Sequence, residues 1–336
     1  MSGQLTVAVA TRIFDEQAAA LLAGRLPEGV TMTYAPLAYS DGGTAVEVPR
    51  EWHDRLAGAE VLVGFAEQLD HLGLLSHGAR CVHHCGAGYE RVDLPGLAAR
   101  GIGLVSAAGA GADGIAEFVV LAMLSLAREA RAHQRAQDEH RWARTATTEL
   151  RGRRLTVLGA GEIGSRVCRL GDALGLEVTC VRARPERGSP PGAARVLGPD
   201  GLAGVLGETD VMVLAAPLTP ETEQVLDAAA LAALPRGALV VNVARAGLLD
   251  HEALVVSLVD GRLGGAWLDV LPEEPLPAGS PLWDVPNLSI SCHNAVAIRS
   301  YPSNLARQAA AAVTDWLAGR PVDHVVLPLP DPPVRR

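Results

Sequence analysis

The 336-residue sequence contains no lysine, so all 29 of its basic residues are arginine. That absence excludes Schiff-base chemistry, attachment of pyridoxal phosphate and a phosphate loop built on lysine. Cysteine is sparse: Cys81, Cys85, Cys168, Cys180 and Cys292 are odd in number and have no C-x-x-C spacing. They read as buried, reduced thiols of a cytoplasmic protein, and no metal is expected. Cys292 adjoins His293, but neighbours on an extended segment point to opposite faces, so no thiol–imidazole pair is expected. Long apolar runs are also missing. The stretch Phe118 to Ala127 is too short to span a bilayer, and Met1 to Val9 lacks the basic and apolar segments of a signal peptide. It reads as a first strand. A formal net charge of −9 argues against a nucleic-acid surface.

What is present is a chain that is 49% hydrophobic, globular and long enough for two domains. It is organised around Leu155 to Gly164. An apolar strand (Leu155, Val157, Leu158) stops at Gly159, and Gly159, Gly161 and Gly164 fall in G-x-G-x-x-G spacing before a helical apolar pattern from Ile163 to Leu174. The first glycine permits a tight turn, the second lets backbone approach a pyrophosphate, and the third lets helix pack on strand. The helix N-terminus then offers partial positive charge to phosphates. With a second strand at Leu176 to Val181, this is the context a dinucleotide site requires.

Around it the sequence alternates strand and helix. Strands are expected at 5–10, 31–34, 60–65, 80–84 and 102–106, with helices at 15–26, 69–77 and 94–100. One long helix is expected from Asp113 to His140, apolar early and charged late. The central unit continues with a Pro/Gly-rich loop at 185–192 and helices at 200–206, 228–234 and 251–260. Its further strands are expected at 210–215, 239–243, 264–269 and 288–291. A last helix, Arg299 to Ala318, has no strand expected after it and should pack back on the first domain. The Pro-rich tail from Pro321 should be extended, and either strapped to the surface or disordered.

Three chemical residues stand at expected strand ends of the central unit, where ligands sit in an open α/β sheet. Arg245 can clamp a carboxylate through two charged hydrogen bonds and polarise a carbonyl. His293 can pass the proton that accompanies hydride transfer, and Glu274 would orient its ring and favour the imidazolium.

The sequence resembles the D-isomer-specific 2-hydroxyacid dehydrogenases from Glu60 to Ala318. The matching stretches are Gly86-Ala-Gly88 with Val92-Asp93, Ile115-Ala-Glu117, Gly159 to Gly164 and Pro217 to Thr222. They continue with Asn242 to Arg245 and Asp250, Asp269-Val270, Glu274-Pro275, Pro281-Leu-Trp283 and His293-Asn-Ala295. The resemblance implies two Rossmann-like or flavodoxin-like parallel-sheet domains with a cleft between them. Residues 1–106 plus 296–336 would form the substrate-binding domain and 107–295 the dinucleotide-binding domain. It implies Arg245 as substrate clamp, His293 as acid/base with Glu274 as partner, and the backbone of Ala87 and Gly88 holding the substrate carboxylate. It assigns Gly159, Gly161, Glu162, Ile163, Gly164, Ala216, Pro217, Thr222, Val243, Ala244, Asp269 and Ala295 to the cofactor, Asp269 at the nicotinamide amide. Family members are typically homodimers that pair through the nucleotide-binding domain.

The sequence also departs from the family pattern. Glu90-Arg91 stands where Asp-Asn is usual, Ala246 replaces a glycine, and His83-His84 and Asn294 are uncommon. Selectivity is expected in the loops near Phe65 to Leu69, His83 to Ala87 and Trp142. A non-catalytic dinucleotide-sensing protein, like the related corepressors, is the alternative, and a methyltransferase a more distant one; intact Arg245, Glu274 and His293 favour an enzyme. NAD-preferring members place Asp at the end of the second strand for the ribose hydroxyls, about 20 residues beyond the loop. Here Arg182 holds that position, Arg184 follows, and the next acid, Glu186, lies in the loop. An arginine fork suits a 2′-phosphate. NADP(H) is therefore expected over NAD(H), with Arg182 principal, Arg184 assisting, and flow towards reduction of a small 2-oxoacid.

Overall fold

The computed structural model describes residues 5–35, 53, 56, 58–76 and 78–333. It is an α/β protein with two sheets, and the chain divides into two compact units. One comprises Met1–Gly111 with Ile298–Arg336, the other Ala112–Ala297.

In the first unit, β1 (Leu5–Ala10), β2 (Val30–Ala35), β3 (Val61–Gly64), β4 (Cys81–His84) and β5 (Gly103–Ser106) pair in parallel. The last strand of the chain, β13 (Val325–Leu327), completes the order β13-β5-β4-β3-β1-β2. Both faces of the sheet are covered, which is why β1 and β3 read as nearly continuous apolar runs and not as alternation. On one face α1 (Glu16–Ala23) and the final helix α10 (Tyr301–Leu317) pack together. The buried stripe of α10, Leu305, Ala306, Ala309, Ala310, Val313 and Trp316, follows helical spacing. On the other face lie α2 (Ala66–His71) and α3 (Leu94–Ala99), with Leu69 and Leu97 in a core shared with Leu62 and Leu104. Each such side chain withdrawn from water contributes roughly 1.5–3 kcal/mol.

In the second unit seven parallel strands run β12-β11-β10-β9-β6-β7-β8. These are β6 (Arg154–Leu158), β7 (Glu177–Val181), β8 (Arg195–Leu197), β9 (Val211–Leu214), β10 (Leu239–Asn242), β11 (Gly265–Leu268) and β12 (Leu288–Ile290). The order reverses between β6 and β9, which creates the crevice that open α/β sheets use for ligands. α4 (Ala112–Ala127) and α6 (Glu162–Ala173) pack against each other over the core of β6, β9 and β10. α5 (Ala130–Asp138), α7 (Leu202–Leu206), α8 (Ala228–Ala233) and α9 (His251–Val259) complete the helices.

Several expectations need correction. The single helix from Asp113 to His140 is two, broken at Glu129 in the left-handed region (φ 50°). The buried stripe of α4 ends at Ala127, whose carbonyl accepts from Thr148 N at 2.9 Å, so it is not available to the next helical turn. The last helix is followed by a strand: β13 runs antiparallel to β5, and Trp316 Nε1 donates to Pro330 O at 2.7 Å. β8 falls between the loop expected at 185–192 and the helix expected at 200–206, where no element was expected. The helix expected at 69–77 is α2 plus a 3-10 turn at Leu74–Ser76. His77, residues 1–4 of the expected first strand and the last three residues of the tail lie outside the described residues. Among the described residues no helix is long and apolar enough to cross a membrane.

Candidate active site

β6 delivers the chain to Gly159, whose φ of 102° belongs to glycine. A Cβ there would lie 2.6 Å from Ala215 O, and one on Gly164 would lie 1.9 Å from the Gly159 carbonyl, so both glycines are demanded by close backbone packing. Gly161 differs: a Cβ would meet nothing within 4 Å, and the residue caps α6 without any side-chain bond. The space beside that backbone and the open first N–H groups of the helix fit a dinucleotide pyrophosphate. Glu162 pairs with Arg166 at 2.6 Å, and Ile163 packs into the core below.

Beyond β7, Arg182 donates from its backbone to Leu197 O (3.0 Å) and from Nη1 to Gly188 O (3.1 Å). The second bond folds the 182–188 loop over the guanidinium. Arg184 and Arg187 are exposed on the same loop, with Glu186 between them. Arg187 was not foreseen; three arginines within one short loop are the sequence signal that marks it. Ala216 is buried just past β9. The turn from Pro217 is closed by Thr222, whose Oγ1 donates to Pro217 O at 2.8 Å and accepts from Thr219 N at 2.8 Å.

At the end of β10, Asn242 is fully buried and clamps the turn carrying Val243, Ala244 and Arg245. Its Oδ1 accepts from Ala244 N (3.0 Å) and its Nδ2 donates to Arg245 O (2.9 Å). Arg245 Nη1 bonds Ala244 O at 2.6 Å. His251 was not foreseen; its Nε2 donates to Ala246 O (3.1 Å), and burial lowers its pKa from the ordinary value. The turn behind Arg245 is thus held from both sides.

Directly after β11 stands Asp269, which is 2% exposed. Its carboxylate accepts from Ser291 Oγ (2.7 Å), Asn294 N (2.8 Å) and Ala295 N (3.1 Å), so it organises the loop after β12. Within that loop Cys292 and His293 have φ of 48° and 55°. The segment is therefore not extended, which corrects the premise used to set Cys292 apart. What His293 pairs with is Glu274: its Nδ1 donates to Glu274 Oε2 at 2.8 Å, while Glu274 Oε1 accepts from Leu271 N at 2.9 Å. The pair is open to solvent, with side chains 50% and 34% exposed. A ring held through Nδ1 presents Nε2 outward, the arrangement of a proton-transfer dyad.

The second unit thus brings Glu274, His293, Asp269 and Ala295 into one bonded cluster. Arg245 stands at the end of β10, which pairs with β11, itself paired with β12. A concavity of about 820 Å³, lined by Leu126, Arg131, Leu239, Trp267 and Trp283, opens at the other end of these strands, away from the chemistry. Ala87 and Gly88 belong to the first unit, on the loop after β4. There His84, almost fully buried, accepts from Ala66 N at Nδ1 (3.1 Å) and donates from Nε2 to Gly88 O (3.0 Å). Burial lowers its pKa, against the opposing pull of Glu67. Trp142 is 95% exposed.

Residues 120–295 match the family model described as D-isomer specific 2-hydroxyacid dehydrogenase, NAD binding domain. Over 295 residues (82% of this chain, 88% of the relative) the chain is 29% identical to a glycerate dehydrogenase from Methylorubrum extorquens. It spans about half the length of the D-3-phosphoglycerate dehydrogenases that it also matches. Among solved structures, a D-isomer specific 2-hydroxyacid dehydrogenase family protein from Aeromonas salmonicida superposes with a TM-score of 0.82 at 25% identity, covering 96% of this chain and 99% of that one. An NADPH-dependent glyoxylate/hydroxypyruvate reductase from Sinorhizobium meliloti, in complex with NADP and sulfate, gives 0.78 at 26% identity, covering 96% and 98%. With the glycine loop, the strand-end arginine and the histidine–glutamate dyad in the family's order, the chain belongs to the D-isomer specific 2-hydroxyacid dehydrogenases.

Proposed function

We propose that the protein reduces a small 2-oxoacid to the D-2-hydroxyacid, reversibly, with NADPH preferred over NADH. The observation that carries this reading is the pair made at 2.8 Å between His293, on the loop beyond β12, and Glu274, on the loop beyond β11. A bound reduced nicotinamide supplies the hydride. The chain supplies the proton: His293, held through Nδ1, presents Nε2 to the carbonyl oxygen and protonates the alkoxide as charge develops there. Glu274 fixes the ring and balances the imidazolium. Arg245, on a turn clamped by Asn242, takes the substrate carboxylate bidentately and polarises the adjacent carbonyl. The loop with Ala87 and Gly88 is proposed to offer backbone N–H groups to a carboxylate.

Gly159, Gly161, Glu162, Ile163 and Gly164 are proposed to receive the pyrophosphate, and Ala216, Pro217, Thr222, Val243, Ala244 and Ala295 to line the rest of the dinucleotide. Asp269 keeps a place beside the nicotinamide amide in this reading, although its Oδ1 is already engaged by Ser291 and the Asn294 amide. Arg182, with Arg184, is proposed to bind the 2′-phosphate; the reductase from Sinorhizobium meliloti, which holds NADP, supports that choice of cofactor. A homodimer working in the cytoplasm completes the proposal, with light scattering as the check on its mass. The primary experiment follows nicotinamide absorbance with glyoxylate, hydroxypyruvate, pyruvate and longer or doubly anionic 2-oxoacids, using each cofactor in turn. Consumption of NADPH with at least one acid, at higher kcat/KM than NADH, is the expected outcome. Equal kcat/KM for the two cofactors would show the assignment of Arg182 to be wrong.

A further inference from the structure

Two consecutive non-glycine residues, Cys292 (φ 48°) and His293 (φ 55°), stand in the left-handed region. L side chains enter that region at a cost, and they stay there only when their surroundings over-determine the backbone. The bonds that do so start well away from the dyad. Trp267 Nε1 lies 2.9 Å from Ser291 Oγ, and Ser291 Oγ lies 2.7 Å from Asp269 Oδ1. An indole nitrogen can only donate, so the serine oxygen accepts from Trp267, and its own proton goes to the carboxylate. Asp269 then receives the amides of Asn294 (2.8 Å) and Ala295 (3.1 Å), and its backbone carbonyl receives His293 N at 2.6 Å. Phe118 of α4 meets the Trp267 ring edge-on, with centroids 5.7 Å apart and planes at 90°, which fixes the indole at the head of the series.

We propose that Ser291 is a positioning residue for the acid/base: it passes the orientation set by Trp267 to Asp269, and Asp269 holds the strained Cys292–His293 backbone so that Nε2 is presented in one place. The inference rests on the reading of His293 as acid/base. Removing the hydroxyl takes the acceptor from a partly buried indole and one donor from a buried carboxylate. The loop then loses a restraint, while the glycine loop and the arginine loop beyond β7 are untouched. A displacement of about 1 Å at a reacting group can cost up to about 100-fold in rate.

The test compares Ser291→Ala, Ser291→Thr, Trp267→Phe and His293→Asn. In each, kcat, the KM for NADPH, the thermal midpoint and the indole ¹H–¹⁵N signals of the five tryptophans are measured. Ser291→Ala is expected to lower kcat by about 10–100-fold with the KM for NADPH within about twofold of wild type. The indole signal identified by its loss in Trp267→Phe should shift in Ser291→Ala. Ser291→Thr restores the hydroxyl and should restore both kcat and the signal; Trp267→Phe, which leaves the serine proton for Asp269, should fall between. Wild-type kcat in Ser291→Ala, or a Thr variant as slow as the Ala variant, overturns the inference. Should Ser291→Ala not fold, Trp267→Phe decides: full kcat overturns the role of the relay. His293→Asn separates the two readings. If it retains turnover, the acid/base assignment fails; if it loses turnover while Ser291→Ala does not, only the positioning role fails.

Discussion

Two side chains show how differently a polar residue behaves according to what surrounds it. Arg245 leaves a turn clamped by Asn242 and is partly exposed, so its guanidinium can be turned to a ligand. Lysine at 245 would keep the charge and lose the planar fork. Arg245→Lys is therefore expected to lose at least about tenfold in kcat/KM for the oxoacid, as removal of one charge-assisted bond of ~1.5–3 kcal/mol implies. Steady-state kinetics across the oxoacid panel check it, and wild-type values would make Arg245 structural. His83 is the opposite case. It is 1% exposed on β4, and neither ring nitrogen has a hydrogen-bond partner among the described residues. Burial, aided by His84 and His324, pushes its pKa from 6.5 down to about 4. The unfolded chain therefore takes up the proton first as pH falls. The associated stability is fully present above about 6.5 and is lost on the way down to about 4, to an extent of roughly 3 kcal/mol. His83→Leu fills similar space without an unsatisfied group, so it should be neutral or stabilising at pH 7 and flatten the acid loss. Urea midpoints at pH 7, 5.5 and 4.5 test this; an unchanged slope would mean that other groups, His84 among them, carry the acid sensitivity.

At the scale of elements, the loop after β7 and the joint between α4 and α5 carry information that single residues do not. The loop holds Arg182, Arg184 and Arg187, with Arg182 tied to Gly188 O. Arg182→Asp removes a charge-assisted contact and adds a repulsive carboxylate. The ratio of kcat/KM for NADPH over NADH should then fall by at least about tenfold, with kcat on NADH retained. An unchanged ratio would move the phosphate contact to Arg184 and Arg187. At the joint, Glu129 takes a left-handed conformation that costs an L residue about 1–2 kcal/mol. Glycine removes that cost but loses more entropy on folding, so Glu129→Gly should stabilise by up to about 1 kcal/mol. Glu129→Val should destabilise, since a β-branched side chain suits that region poorly. Thermal melts giving the order Gly, Glu, Val check the pair. Neither the break nor β8 was legible in the sequence. A charged stretch reads equally well as the continuation of a helix or as its solvated successor, and three residues are too few to show a period.

For the whole molecule, strand and helix alternation, the glycine loop and the order of the motifs were readable because each is local. Burial of parallel strands on both faces demands continuous apolar runs, and a phosphate turn demands glycines at set spacing. The same locality gave the strand ends, and with them Arg245, Glu274 and His293 as residues of one sheet's ligand side. Tertiary structure alone decided the rest. The pairing of β13 with β5 joins segments far apart in the chain, so nothing in the tail announced a strand. The partnership of Glu274 and His293 was expected from the sequence, but the bond itself is made because a loop beyond β11 turns back on the loop beyond β12. Asp269 became an internal anchor only when Ser291 and the amides of Asn294 and Ala295 converged on it. Periodicity and spacing are imprinted residue by residue by the pleat and the helical turn, whereas convergence of side chains depends on where separate strands end in space. The sequence therefore determined which chemical groups are present and on which element each sits, and the fold determined which of them touch.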